Sequence, residues 1–176
     1  MTTATATKSS NGRDLSLLLT APFPADAVHW KPLSVKGNRA LAAAYLDARA
    51  VMQRLDSVFG VGGWKDRYQL VAGGSVVCTL SIKVDGEWID KTDVGSPSEQ
   101  PDDGDKLKAA FSDAIKRAAI KIGIGRYLYR LPRQWVDYDG QTKQFVKIPQ
   151  LPAWALPSTG KPRPELPAVS ENGTTR

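Results

Sequence analysis

The sequence predicts an α+β fold in which a three-stranded antiparallel β-meander is flanked by helices, in the order α-β-β-β-α. Residues 75–84 alternate between apolar and polar side chains, the pattern of a strand that buries one face. Asp85-Gly86 follows at once and is a strong hairpin-turn signal. On either side, residues 38–59 and 106–122 carry apolar residues at spacings of three and four, as amphipathic helices do.

Composition limits the function classes. The chain has 176 residues, 41% of them hydrophobic, which suffices for one domain with a core. No apolar run approaches the ~18 residues of a membrane span. Its one cysteine, Cys78, excludes an intrachain disulfide and a cysteine zinc site, and its one histidine, His29, excludes a histidine cluster. We therefore predict a chain without membrane, metal or cofactor.

Both ends differ from the middle. Residues 1–27 are predicted to be a flexible N-terminal arm, in which Leu15–Leu19 is too short an apolar core for a signal peptide. A cytoplasmic, nucleoid-associated location follows. Residues 149–176 contain six prolines and are predicted to be a disordered tail, a contact for a recombination or single-strand-binding protein. The folded domain is then 28–148.

The first predicted helix covers 38–59. Asn38 is its expected N-cap, and Gly60 is expected to end it. Arg49 falls off the apolar stripe of this helix and is therefore expected to face solvent.

Three strands are expected next, at Trp64–Ala72, Ser75–Val84 and Glu87–Val94. Gly73-Gly74 forms the first connection as a two-residue turn, and Asp85-Gly86 forms the second. Such a meander has one apolar face that another element must cover.

The second predicted helix covers 106–122, with Asp105 as its N-cap. Its apolar stripe is suited to lie on the sheet, and Lys116 falls nearly opposite that stripe. Arg117 and Lys121 flank the stripe, and Asp113, four residues before Arg117, is in position to pair with it.

Positive charge is concentrated in residues 106–133. This segment has eight lysines and arginines against one aspartate, so its net charge of 8 − 1 = +7 exceeds the +6 of the whole chain. Tyr127 and Tyr129 lie within it and would share one face of an extended segment. Cations for phosphates and flat rings for bases favour single-stranded nucleic acid as the ligand. An acidic protein partner or a merely solubilising surface is the alternative.

Enzyme signatures are weak. The chain has no phosphate-binding G-x-x-x-x-G-K-[ST] motif, and its paired glycines lack a dinucleotide site's strand–turn–helix context. The acidic groups around Asp85 and Asp102 have the ligand type for Mg²⁺, but turn and helix-cap roles explain them equally well. We predict no catalytic residue and no enzyme, with a metal-dependent nuclease as the minor alternative.

Several short motifs follow one another along the chain in an order that a known protein family shares. These are Phe59–Trp64, Asp93–Gly95, Ser112–Ala118, Gly125–Tyr129 and Leu131–Gln134. In order and spacing they resemble the annealing domain of the Rad52 family of single-strand annealing proteins, over about residues 38–135. Gly125–Tyr129 is most similar to the bacterial and phage branch, which includes the DdrA-type damage-response proteins.

The resemblance implies a closed oligomeric ring that binds single-stranded DNA in a basic outer groove and anneals complementary strands without ATP or metal. It assigns Lys116 and Arg117 to the DNA backbone. Ile120 occupies the family's next basic position, so Lys121 or Lys106 is expected to substitute. The candidate DNA-binding residues are Lys116, Arg117, Lys121, Arg126, Arg130, Arg133, Arg49, Lys83, Tyr127 and Tyr129.

Two of these assignments are indirect. Arg49 lies one place from the family's helix-one arginine, and Lys83 resembles a position for a secondary, outer DNA contact. The function expected is strand annealing in double-strand break repair and recombination. A general coating protein for single-stranded DNA or RNA, without annealing activity, is the main alternative.

Overall fold

The computed structural model of the chain describes residues 10–99 and 101–158, with side chains from Asp14 onward. Its helices are α1 (Ser10–Thr20), α2 (Ala48–Phe59) and α3 (Asp103–Ile120). Its strands are β1 (His29–Lys36), β2 (Arg39–Tyr45), β3 (Trp64–Leu70), β4 (Val76–Val84), β5 (Glu87–Gly95), β6 (Gln134–Asp139) and β7 (Gln144–Phe145). Single 3₁₀ turns form at Ala25–Ala27, Ala72–Gly74, Arg126–Arg130 and Ala153–Ala155.

By packing, these elements form two units. Unit 1 takes the described residues up to Ala21 together with Leu46–Arg126. Unit 2 takes Pro22–Tyr45 together with the described residues from Tyr127 onward. None of the described helices has both the length and the apolar character that crossing a bilayer requires.

The predicted α+β class and the antiparallel meander are confirmed in unit 1, where the strands lie in the order β3-β4-β5. Asp85 and Gly86 connect β4 to β5 with positive φ angles of 51° and 88°, as a type I′ turn requires. The connection between β3 and β4 is longer than predicted, because a 3₁₀ turn at Ala72–Gly74 replaces the two-residue turn. In the central strand, Val76, Cys78 and Leu80 are fully buried, as their alternation predicted.

Helix α3 covers this apolar face. Ala110, Ala114 and Ala118 on α3 are fully buried, since small side chains let the helix approach the strands closely. The approach is tightest at Gly95, where an added Cβ would lie 2.2 Å from the carbonyl oxygen of Ala110.

The predicted bounds of α3 shift at both ends. Asp102, not Asp105, is the N-cap: its carboxylate accepts a hydrogen bond of 2.9 Å from the backbone N–H of Asp105. At the other end, Gly123 has φ 109° and its N–H donates to the carbonyl of Ile120 at 3.0 Å. The N–H of Ile124 donates to Ala119, which completes a Schellman termination.

The predicted helix over 38–59 is wrong in its first third. Arg39–Tyr45 forms strand β2, and α2 begins only at Ala48, after the N-cap Asp47. Small alanines fit either structure, and the pairing of β2 with β1 and β6 decides for a strand, in which alternate residues Ala40 and Ala42 are buried. Gly60 ends α2 as predicted, with φ 67°.

The four-stranded sheet of unit 2 was not predicted. Its strands lie in the order β1-β2-β6-β7, and β2 pairs antiparallel with both β1 and β6. Tyr138 on β6 is buried and contacts Phe145 on β7 edge to face, with ring centroids 5.6 Å apart.

The chain ends contain more structure than the sequence indicated. Helix α1 lies within the segment predicted to be a flexible arm, and its Leu19 is buried. In the proline-rich segment, the turn Ala153–Ala155 buries Ala155. Residues 1–9 of the arm and residues 159–176 of the tail, with the partner contact predicted there, lie outside the described residues.

Candidate nucleic-acid interface

The two halves of α3 differ in electrostatic balance. In the first turns, Lys106 pairs with Asp103 at 2.8 Å and Lys108 pairs with Asp105 at 3.1 Å. The charge of each of these lysines is therefore neutralised by an aspartate of the same helix. The positive excess that the sequence indicated lies farther along, beyond Asp113.

Arg117 and Lys121 converge on one carboxylate of the neighbouring strand. The Nε of Arg117 donates to Oδ1 of Asp93 at 3.2 Å, and the Nζ of Lys121 lies 3.2 Å from Oδ2. Lys121 also donates to the backbone carbonyl of Thr92. Asp113, which the spacing proposed as the partner of Arg117, instead accepts a 3.4 Å hydrogen bond from the N–H of Ser96.

Asp93 is ionised in this arrangement. Burial opposes its negative charge, but the N–H of Val94, the ammonium of Lys121 and the guanidinium of Arg117 together outweigh burial and hold the pKa of Asp93 below its usual value. The Arg117 and Lys121 side chains are 48% and 45% exposed, against 19% for Asp93. The two cations thus lie between the carboxylate and solvent, where an anion would meet them first.

Lys116 is half-buried and precedes Arg117 on the same helix. Arg49 is exposed near the start of α2, also within unit 1. Arg126 has a local role: its guanidinium donates two hydrogen bonds to the carbonyl of Ile120, at 2.9 and 2.7 Å, and one to that of Lys121, at 2.7 Å. It caps the C-terminal end of α3, where the helix dipole favours a cation.

The predicted extended segment carrying Tyr127 and Tyr129 is wrong. Arg126–Arg130 is a 3₁₀ turn, so the two rings face different ways. Tyr127 is buried, and its hydroxyl accepts a 3.0 Å hydrogen bond from the N–H of Phe23 within unit 2. Tyr129 is 72% exposed and has an aromatic face available to a ligand.

The remaining basic candidates of unit 2 are Arg130 and Arg133. Arg130 is half-buried at the end of the same 3₁₀ turn. Arg133 is exposed in the loop that leads into β6.

Lys83 belongs to a second basic surface, on the face of the meander opposite α3. It pairs in register with Trp88, and its Nζ lies 5.9 Å from the centroid of that ring. The Nζ of Lys65 lies closer, at 4.2 Å. Lys65 and Arg67 were not singled out from the sequence, although strand alternation across the three strands places them on this face.

The acidic groups considered for a metal have other roles. Asp102 is a helix cap, and Asp103 and Asp105 are salt-bridged to lysines. Among the described residues, no three histidine, cysteine or acidic side chains come together as a metal would require.

The class of protein is given by the family match: the chain belongs to the Rad52/22 family of double-strand break repair proteins, whose family model matches residues 11–145. The resemblance drawn from the motifs is thereby confirmed. The chain is also similar to the single-stranded DNA-binding proteins DdrA of Deinococcus deserti and Deinococcus radiodurans. It is 42% identical to each over 146 residues, which cover 82% of this chain and 71% and 68% of the two relatives.

Proposed function

We propose that this protein binds single-stranded DNA along the second half of α3 and anneals complementary strands in double-strand break repair. The observation that carries this proposal is the outward-facing pair Arg117 and Lys121, backed by the carboxylate of Asp93. Membership of the Rad52/22 family and the names of the DdrA relatives support single-stranded DNA as the ligand. In this proposal the protein acts in the cytoplasm, at the nucleoid.

Annealing needs no nucleotide hydrolysis in this scheme. Two strands repel through their phosphates, and each strand folds on itself through its bases. Lysines and arginines along α3 neutralise the phosphates, and a backbone held extended leaves the bases free to pair. Base pairing then supplies the free energy. Arg49, Arg130, Arg133 and the exposed ring of Tyr129 are further contacts in this proposal.

A closed homo-oligomeric ring is part of the proposal. In unit 1, β3 and β5 are the edges of a three-stranded sheet, so each has a strand partner on one side only among the described residues. Assembly side by side around a ring pairs or covers such edges. Repetition around the ring also turns one short basic helix face into a continuous track, and Lys83 on the opposite face provides the secondary contact.

The test is the salt dependence of binding to oligo(dT). Removing one phosphate contact lowers the slope of log affinity against log salt by about 0.7 for a single strand. We expect Lys116→Ala and Arg117→Ala each to show this loss while remaining folded. Lys108→Ala is the matched control, because it removes the same charge from the same helix but in its first turns, outside the half proposed to bind DNA. An unchanged slope in both variants would contradict the assignment.

Annealing and assembly need separate measurements. Wild-type protein should increase the rate at which complementary oligonucleotides pair without ATP. The Arg117→Ala variant should give a smaller increase. Binding without acceleration would identify the coating protein instead. Light scattering should report a large oligomer, and a monomer at micromolar concentration would refute the ring.

A further inference from the structure

The carboxylate of Asp93 is held by three neighbouring groups beside the proposed DNA track. It accepts hydrogen bonds from the N–H of Val94 at 2.8 Å and from Arg117 at 3.2 Å, and it is ion-paired to Lys121. Asp93 lies opposite Cys78 in the β4–β5 register, and so on the face of the meander that α3 covers. A strand thus supplies the anion and a helix supplies both cations.

The backbone beside this group is closely packed. Two residues farther along β5, on the same face, Gly95 touches the backbone of α3 so closely that an added Cβ would lie 2.3 Å from the N of Ala114. This contact fixes the distance between strand and helix close to Asp93. The carboxylate is therefore held in place by the fold, and it in turn restricts two long side chains that would otherwise sample many rotamers.

We propose that Asp93 is a positioning residue for single-stranded DNA, an inference that rests on the proposed function of α3. It holds Arg117 and Lys121 in the orientation in which they meet consecutive phosphates. Its contact with Arg117 uses Nε, only one of the five N–H donors of a guanidinium. The two terminal amino groups carry the other four N–H donors, and in this proposal they are the donors for phosphate.

The opposite role, in which Asp93 competes with phosphate for its two cations, fits the geometry less well. A competitor must release them when DNA binds, and Asp93, only 19% exposed, would then keep its charge in a poorly solvated place. With the carboxylate behind the cations, phosphate binds from the solvent side and Asp93 keeps its partners.

The two roles predict opposite effects of Asp93→Asn on the affinity for single-stranded DNA. The substitution preserves an oxygen acceptor for the N–H of Val94 and raises the net charge by one. Charge alone therefore favours tighter binding to DNA. If Asp93 positions the cations, the dissociation constant for oligo(dT) should instead rise about threefold to tenfold, within the lower part of the range for coupled neighbouring groups.

Asp90→Asn is the matched control. Asp90 is exposed on the same strand and pairs with Ser81 on the face opposite α3. Its substitution therefore changes the net charge equally without removing a contact to Arg117 or Lys121. It should tighten binding by no more than about twofold. Asp93→Asn binding as tightly as Asp90→Asn, or more tightly, would overturn the inference.

A double-mutant cycle separates positioning from structural damage. In an Arg117→Ala background only Lys121 is left to position, so the effect of Asp93→Asn should fall to about half or less on a logarithmic scale. Full additivity of the two substitutions would overturn the inference. Should Asp93→Asn fail to fold, as judged by circular dichroism, Asp93→Glu keeps the charge but displaces it. That variant should weaken binding at least about twofold, and unchanged affinity would refute positioning.

The same series distinguishes this inference from the proposed function. Wild-type protein that does not bind oligo(dT) would remove both. Normal wild-type binding, a loss in Arg117→Ala, and an Asp93→Asn variant that matches Asp90→Asn would remove only the role of Asp93.

Discussion

Gly95→Ala is expected to destabilise the protein severely, because Gly95 is where β5 touches α3. An added Cβ would lie 2.2 Å from the carbonyl oxygen of Ala110 and 2.3 Å from the N of Ala114. Ordinary carbon–oxygen contacts lie near ~3.3 Å, so strand and helix must separate by about 1 Å. Both clashing atoms belong to the backbone of a helix, so no side chain can rotate away to relieve the clash.

The magnitude follows from that geometry. Overpacking a core costs about 1–3 kcal/mol when side chains adjust, and a clash with two backbone atoms of one helix puts Gly95→Ala at about 3 kcal/mol or more. Gly62→Ala is the matched control, because an added Cβ there meets nothing within 4 Å and its φ lies outside the left-handed region. That control should change the free energy of unfolding by less than about 1 kcal/mol, and in the stabilising direction.

Urea unfolding followed by circular dichroism measures both variants. Protein concentration must be equal throughout, since assembly adds a concentration-dependent term to the apparent stability. If Gly95→Ala unfolds at the same urea concentration as Gly62→Ala, the close packing of α3 on β5 is refuted, and with it the packed support for Asp93.

Two further predictions concern stability and reactivity. Arg126→Ala removes three hydrogen bonds to the end of α3 and should lower the free energy of unfolding by about 1–2 kcal/mol, whereas exposed Arg49→Ala should leave it unchanged; equal urea midpoints would contradict the capping role. Burial, aided by the Asp66 carboxylate and opposed by the Tyr68 hydroxyl, raises the pKa of the Cys78 thiol to about 11. The protonated thiol therefore favours folding below the unfolded pKa of ~8.5, and this contribution is lost as the pH rises toward 11. At pH 8 a thiol-specific reagent should label Cys78 promptly in urea and very slowly in the folded protein; equal rates would show that the thiol is not buried.

Local signals in the sequence were reliable where one interaction dominates. The alternation of β4 follows from burial of one face, and the turn at Asp85-Gly86 needs two residues that tolerate positive φ. Gly60 ends α2 for a similar reason. The family motifs are likewise local, and they led to the correct family before any contact was known.

Long-range pairing decided what local signals could not. Alanines over residues 39–45 suit a helix by propensity, and only pairing with β1 and with β6, nearly a hundred residues away, makes the segment a strand. Tyr127 and Tyr129 are close in sequence, but a 3₁₀ turn buries one ring and exposes the other.

The candidate site divides in the same way. Its basic residues are evident from the amino-acid sequence, because a concentration of one charge needs no fold to be recognised. Lys106 and Lys108 pair with aspartates three residues earlier on their own helix, which is a local interaction. Arg117 meets Asp93, 24 residues earlier in the chain, only in the folded structure. The motif resemblance thus indicated the family, periodicity indicated the meander, and the concentration of charge indicated the basic helix. The packing of α3 on β5 alone determined how its cations are held, since two groups far apart in sequence interact only after the chain has brought them within hydrogen-bonding distance.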